Sequence, residues 1–322
     1  MKKIMIVLIL GVVLASCYSD YINDFDYDGI YFPYQTDVRT FVVGEGMKIE
    51  VGAALGGVRA NTRDRIVSFT LDNTLVTPAL ALMKVGAQYI KDAIAPVVTL
   101  LPLPVNYYTL SDNSKMVIKT GNHMGSVVMT VDSAKFVADP LTLFANYAIP
   151  FYITSVDADT VLANKRSAVI GVKYENMLFG NYWHGGVTTV KDAAGATVST
   201  ILYYTAINQP ENKIWKLKTV GPSTLVSNGY SDQTTAKEEM LLTLDGTNIN
   251  VSTRTGSTFA VVPNGASTFN RAKLLQNRKI LLNYKYVNAA GNTCTAQDTL
   301  TFRNRIRDGV NEWQDENAAN YK

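Results

Sequence analysis

Asp24, Asp26 and Asp28 alternate ahead of Gly29, and alternating carboxylates before a turn glycine open an EF-hand calcium loop. Such a loop needs a bidentate glutamate at its twelfth position, which here is Gln35. Ile30-Tyr31-Phe32-Pro33 reads as strand, not as the second helix of a hand, so the acidic run is expected to be a solvated tether and no metal site is expected. His123 and His184 lie far apart, and no CxxC or HExxH occurs, which removes the usual zinc patterns. Gly44-Glu45-Gly46 and Gly56-Gly57 are turn material, since no phosphate-loop lysine follows them. No cofactor motif is present.

Catalysis is not expected. Glycoside hydrolysis needs two carboxylates flanking the bond. Asp157 and Asp159 would share one side of a strand, but they read better as a loop after the strand holding Phe151. No GxSxG elbow offers a serine nucleophile. A cryptic glycosidase stays open as an alternative, because a carboxylate pair assembled from distant strands leaves no local motif.

Aromatic rings are the other chemical resource, since they stack on the flat C–H faces of sugars. The chain holds Trp183, Trp215, Trp313 and 18 tyrosines. Trp215 alternates with Leu217 on one strand face while Lys216 and Lys218 take the other, which marks Trp215 as core. Trp183, beside two glycines, either plugs a barrel base or lines a cleft. Tyr203-Tyr204 puts one ring on each side of its strand. Trp313 is expected to fold back onto the second domain. Ser227-Asn228-Gly229-Tyr230-Ser231-Asp232 reads as a polar loop, and Asn208 to Asn212 as another. Tyr230 is the first-choice ligand contact, followed by Trp183, Tyr204 and Trp313.

The elements that must carry these residues are strands. Period-two alternation runs through 47–54, 65–71, 105–110, 115–119, 126–131, 147–156 and 167–174, the pattern of an immunoglobulin-like β-sandwich. One segment differs: Thr77-Pro78 offers a helix start, and Leu80, Met83, Ala87, Ile90 and Ile94 recur at helical spacing until Pro96. Gly86 weakens that helix by about 1 kcal/mol. It is expected to be core or to cap one end of the sandwich, with a docking helix as the alternative.

The second half carries eight candidate strands, at 182–190, 198–206, 213–220, 239–244, 248–254, 258–262, 280–287 and 293–302. Asp192-Ala193-Ala194-Gly195, Asp245-Gly246-Thr247 and Ala289-Ala290-Gly291-Asn292 punctuate them as hairpins. A meander of eight strands can close into a small lipocalin-like barrel, with a second sandwich as the alternative. The expected division is 1–16 signal peptide, 17–28 tether, 29–176 sandwich, 177–310 barrel or sandwich, and 311–322 tail.

The first residues combine Lys2-Lys3 with an apolar run from Ile4 to Leu14, long enough for a secretory signal and too short to span a bilayer. Leu14-Ala15-Ser16-Cys17 resembles a bacterial lipobox, which implies cleavage after Ser16 and acylation of Cys17, a membrane anchor. With Cys17 lipidated, Cys294 has no intrachain partner and is expected to be a small buried residue. Acidic residues after such a cysteine resemble the export signal of outward-facing Bacteroidetes lipoproteins. Beyond residue 16 the chain holds 28 basic and 27 acidic residues, a balance that offers no footprint for nucleic acid and no polybasic patch for lipid.

Gly29-Ile30-Tyr31-Phe32, Asn146-Tyr147-Ala148-Ile149-Pro150 and the segment Asp298 to Gly309, together with the lipobox, resemble two-domain Bacteroidetes surface lipoproteins of polysaccharide-utilisation loci. The resemblance implies a non-catalytic outer-membrane protein, all-β, that binds an oligosaccharide or glycan beside a porin complex and its partner lipoprotein. A structural or adhesive surface protein is the alternative.

Overall fold

The structure, a computed structural model, describes residues 27–203, 212–257 and 260–315. The signal segment, Cys17, Asp24, Asp26 and Tyr204 lie outside the described residues. The described chain is overwhelmingly β.

The first unit runs in chain order through β1 (Gly29–Tyr31), β2 (Thr36–Val43), β3 (Lys48–Gly56), β4 (Arg65–Leu71), α1 (Val76–Lys84), α2 (Gln88–Ile94), β5 (Leu101–Pro102) and β6 (Tyr108–Leu110). It continues with β7 (Lys115–Ile118), β8 (Met124–Val131), α3 (Ser133–Ala138), β9 (Tyr147–Val156), β10 (Thr160–Val161) and β11 (Ser167–Asn176). One sheet has the order β10-β1-β3-β8-β6, and the other β2-β11-β9-β4-β7 with β5 beside β9. Alternation builds the core: on β8, Val127, Met129 and Val131 are buried while Met124, Ser126 and Thr130 face solvent. These inward residues meet Ile30, Phe32, Phe69, Phe151 and Val172 between the sheets.

The second sheet is covered on both faces, which explains the unbroken burial of Tyr147 to Phe151. Its outer residues Val38, Ala148 and Val169 pack against Val76, Ala79, Met83, Ile90 and Ile94. The single helix expected from Thr77 is therefore two, broken at Val85-Gly86-Ala87, and they cover a sheet face instead of one end. Thr77 is not the cap either. The first helix begins at Val76 after Leu75, which makes no side-chain cap bond, and Pro78 sits in the first turn, where backbone N–H groups lack helix partners anyway. Strand β2 escaped the alternation pattern because Val38 serves the helices while Phe41 serves the sandwich core.

After Met177-Leu178-Phe179 the chain enters β12 (Gly180–Lys191), β13 (Thr197–Tyr203), β14 (Lys213–Gly221), β15 (Thr224–Ser227), β16 (Gly229–Tyr230), β17 (Gln233–Thr234) and β18 (Met240–Asp245). It ends with β19 (Asn248–Thr253), β20 (Val261–Pro263), β21 (Ser267–Phe269), β22 (Lys279–Val287), β23 (Thr293–Arg307) and β24 (Val310–Glu312). β13 pairs with the far half of β12 and β14 with the near half, so the two fill one strand position. β20 and β21 share a position beside β22 in the same way. The meander closes where β12 pairs with β23 along Asn181–Lys191, giving a ring of eight positions. Trp215, Leu217, Leu242, Val251, Leu282 and Phe302 fill its interior. β15 was not anticipated.

Two features of the barrel hold the sandwich. Glu45, at the turn between β2 and β3, receives Arg278 Nη2 at 2.6 Å and both terminal nitrogens of Arg305 at 2.9 and 2.8 Å. All three side chains are buried. The β23–β24 hairpin then places Asp308 (φ 52°) and Gly309 (φ 79°) against the sandwich. The Thr40 N–H donates to Asp308 Oδ2 at 3.3 Å, and a Cβ on Gly309 would come within 2.8 Å of the Tyr89 ring. Residues 311–315 are thus no tail: Glu312 binds Arg305 at 2.5 Å, and Asp315 Oδ2 accepts the Leu275 N–H at 3.0 Å.

Candidate functional site

The aromatic residues singled out in the sequence do not come together. Tyr230 is not at a polar loop tip. The segment after β15 folds inward, Ser231 is fully buried, and the Tyr230 ring stands edge-on to Tyr286 at 5.4 Å. Trp183 lies on the outer barrel wall under the Arg303 guanidinium, 4.9 Å from its ring. Trp313 stays 57% exposed instead of folding back. Trp215 is core, as its alternation implies. Asp28 is no free tether residue: Arg65 Nη1 holds it at 2.5 Å, and its Oδ1 accepts the Asp159 N–H at 2.7 Å. Asp157 and Asp159 follow β9 as a loop, with Asp157 paired to Arg63.

Sequence reasoning missed a buried polar cluster in the barrel. Asp298 points inward from β23 and accepts hydrogen bonds from the hydroxyls of Tyr203 and Tyr284, the latter at 2.6 Å. Burial first, then the Asp298 charge, pushes both phenols well above their ordinary pKa. Tyr284 OH accepts the Ser231 N–H at 2.5 Å, and Ser231 Oγ lies 2.6 Å from Thr188 Oγ1. His184 stacks on Trp215 at 3.8 Å, with its Nε2 3.4 Å from Asp298 Oδ1. The groups resemble a relay, but Ser231, Thr188 and His184 are all sealed from solvent. Here the cluster anchors the inward hairpin β16–β17. Ser231 itself holds a φ of 47°, a conformation that costs a non-glycine residue about 1 kcal/mol or more.

Open concave space lies at the junction of the two units. A cleft of about 590 Å³ runs along β2 and β3 under the β23–β24 hairpin. Tyr34 lies on it and is 63% exposed. Arg39, Lys48, Glu50, Arg307 and Asp308 supply donors and acceptors. Arg39 Nε is held by Asp37 Oδ2 at 3.0 Å, and Asp37 Oδ1 also accepts the Tyr89 hydroxyl at 2.6 Å. Arg307 is paired to Glu312. These partners fix Arg39 and Arg307 in place. A second cleft of about 420 Å³ shares Thr40 and Asp308 and is lined by Tyr89, Phe144, Lys173, Lys216 and Ile306. Asp308 therefore divides the two clefts. Its carboxyl is raised above the ordinary range by burial, against the opposing pull of Thr40, Arg39 and Arg307.

Neither cleft offers a metal site, and no group of three metal-ligating side chains occurs among the described residues. No described helix is long and apolar enough to cross a membrane. The clefts could not be read from the sequence, because Tyr34, Lys48 and Arg307 belong to three separate segments.

Residues 24–160 match a family model described as an N-terminal domain. The fold is similar to that of a Bacteroides ovatus protein of unknown function, with a TM-score of 0.63 at 20% identity over 90% of this chain and 99% of that one. Two further Bacteroides ovatus structures of unknown function align with TM-scores of 0.44 and 0.38, at 10% and 13% identity. They cover 90% and 91% of this chain, and 100% and 96% of theirs. No curated protein matches.

Proposed function

We propose that the protein is a lipid-anchored, outward-facing, non-catalytic binding protein that captures an oligosaccharide in the cleft between its two units. The observation that carries this reading is the cleft itself: an exposed tyrosine beside charged groups of both signs, at a domain junction, where ligand sites concentrate. A sugar would stack on Tyr34 and bond its hydroxyls to Lys48, Glu50 and Asp308. The barrel interior is a poorer host, since aromatic side chains fill it. Cys17 as a lipid anchor, and a porin complex as the recipient of the captured glycan, complete the proposal. Both rest on the lipobox and the sequence resemblance.

Affinity electrophoresis and a glycan array with residues 18–322 test it. Wild type is expected to retain at least one glycan, while Tyr34→Ala and Lys48→Ala lose retention with little change in melting temperature. Failure to bind any glycan, with stable co-purification of a porin, would instead make it a structural surface protein.

A further inference from the structure

The near-neutral charge of the mature chain conceals a strong segregation. Between Gly246 and Arg307 the sequence holds nine basic residues and a single acid, Asp298. Asp298 is buried and faces inward, bonded to two tyrosines. Arg278 and Arg305 are buried on Glu45, and Arg254 and Arg307 are paired with glutamates. The exposed cations left over are Arg271, Lys273, Lys279, Lys285 and Arg303, joined by Lys191 from β12. None of the six forms a salt bridge among the described residues.

Strand register sets Lys191, Lys279 and Lys285 on one wall, and Arg303 joins them over the Trp183 ring. Trp183, Thr301 and Lys279 form one rung across β12, β23 and β22, and Thr189, Thr295 and Lys285 form another. Between them lie the rungs Gly185–Thr299–Leu281 and Val187–Gln297–Asn283. Rungs spaced two residues apart advance about 7 Å, so Lys279 and Lys285 stand roughly 20 Å apart along β22. No rung carries a carboxylate. Asp192, next to Lys191 in sequence, is bonded to the N–H groups of Ala194 and Ala196 in its own turn.

We infer that this wall is a second binding surface, for a polyanionic polysaccharide whose sugars carry carboxylates or sulfates. The inference rests on the reading of the protein as a glycan-capturing one and goes beyond it in site and ligand class. The lysines and Arg303 supply charge complementarity, and the uncharged hydroxyls and amides between them suit a hydroxylated chain. The convex barrel wall meets a flat bilayer only along a narrow line, whereas a polymer can follow its curve. A negative chain lying along β22 and β23 would be steered there at low salt and released as salt rises.

The test is affinity electrophoresis of the full mature chain in gels containing polygalacturonate or neutral dextran, with phosphatidylglycerol vesicles and single-stranded DNA as competitors. Polygalacturonate is expected to retard wild type. Its affinity should fall about tenfold or more as ionic strength rises from ~0.05 to ~0.3 M. The triple variant Lys279→Gln/Lys285→Gln/Arg303→Gln should lose retardation with an unchanged circular dichroism spectrum, while Tyr34→Ala keeps it. Equal retardation of the triple variant overturns the inference. So does competition by vesicles or DNA at lower concentration than free polygalacturonate. Binding of neutral glycans through Tyr34 without any acidic polymer overturns this surface alone, and binding of no glycan at all overturns both readings.

Discussion

Arg305 reaches from the barrel into the sandwich and grips Glu45 with two parallel hydrogen bonds, Nη1 to Oε1 at 2.9 Å and Nη2 to Oε2 at 2.8 Å. A forked guanidinium on a carboxylate fixes orientation as well as distance. Glu45 sits between Gly44 and Gly46, both at positive φ, so the turn can thrust its carboxylate into the barrel. Arg278 completes the contact from a second barrel segment. The two units are thereby held at one angle, and the clefts on either side of Asp308 keep their shape.

Replacing Glu45 by alanine removes the carboxylate that joins two buried guanidinium groups to the sandwich, although Arg305 keeps Glu312 and Arg278 keeps the Met177 carbonyl. Breaking a buried ion pair from one side costs about 3–5 kcal/mol, and here the loss falls on the junction. Calorimetry is expected to show one unfolding transition in wild type and two separated transitions in Glu45→Ala. A single transition at the wild-type temperature would mean that the junction is held elsewhere.

Acid should undo the same contact. Burial would raise the Glu45 carboxyl, but the hydrogen bonds and charges of Arg305 and Arg278 outweigh it and hold the group below its ordinary value. Its stabilising contribution is fully present above the unfolded-chain value and is lost as pH falls through the lower folded value. The melting-temperature gap between wild type and Glu45→Gln should therefore be constant at neutral pH and shrink in acid. A gap that widens in acid would contradict the assignment.

Asp308 has the opposite sign. Burial raises its carboxyl despite Thr40, Arg39 and Arg307, so ionising it costs the folded state. Its penalty is absent below the unfolded-chain value and grows as pH rises through the interval up to the raised folded value. An asparagine in its place would keep an acceptor for Thr40 and tolerate the positive φ. Asp308→Asn is therefore expected to melt at or above the wild-type temperature at neutral pH, and to lose part of the wild-type pH dependence. A clear drop in melting temperature would show that the charge is needed at the junction.

The barrel was legible in the sequence because its strands alternate and its hairpins carry glycine, as at Asp245-Gly246 and Ala290-Gly291. The face assignment of Trp215 followed from the same alternation. Strand β2 was not legible, because Val38 and Phe41 serve different cores. Tyr230 misled for a different reason: Ser231 and Asp232 are polar, yet Thr188 and Tyr284 supply the partners that let the segment fold inward. The cleft residues are brought together only by the closed topology. The acid-poor stretch from Gly246 to Arg307 was present in the sequence, but summing charge over the whole chain averaged it away.

Cys17→Ser tests the anchor independently of the fold. The cysteine lies outside the described residues, and its role rests on the lipobox resemblance. Labelled palmitate is expected to enter the wild-type chain and not the variant, and the variant should leave the membrane fraction. Several acyl chains bind a bilayer firmly where one is marginal, so a variant that stays membrane-bound would contradict anchoring through Cys17.

Asp298 separates a structural role for the buried cluster from a chemical one. Its two oxygens serve Tyr203 and Tyr284, and Tyr284 in turn accepts the Ser231 N–H that seats the β16–β17 hairpin. Asp298→Ala leaves the buried Tyr284 hydroxyl without its acceptor, at about 1–3 kcal/mol, while the Tyr203 hydroxyl keeps Thr188 Oγ1 at 3.0 Å. Asp298→Asn keeps an acceptor and should cost less. As the hairpin loosens, the Trp215 indole packed against Gly229 is expected to become accessible to a fluorescence quencher. Because the cluster is sealed from both clefts, glycan retention per folded molecule should match wild type in both variants. Loss of retention in a variant that still melts cooperatively would place the barrel interior in the binding site.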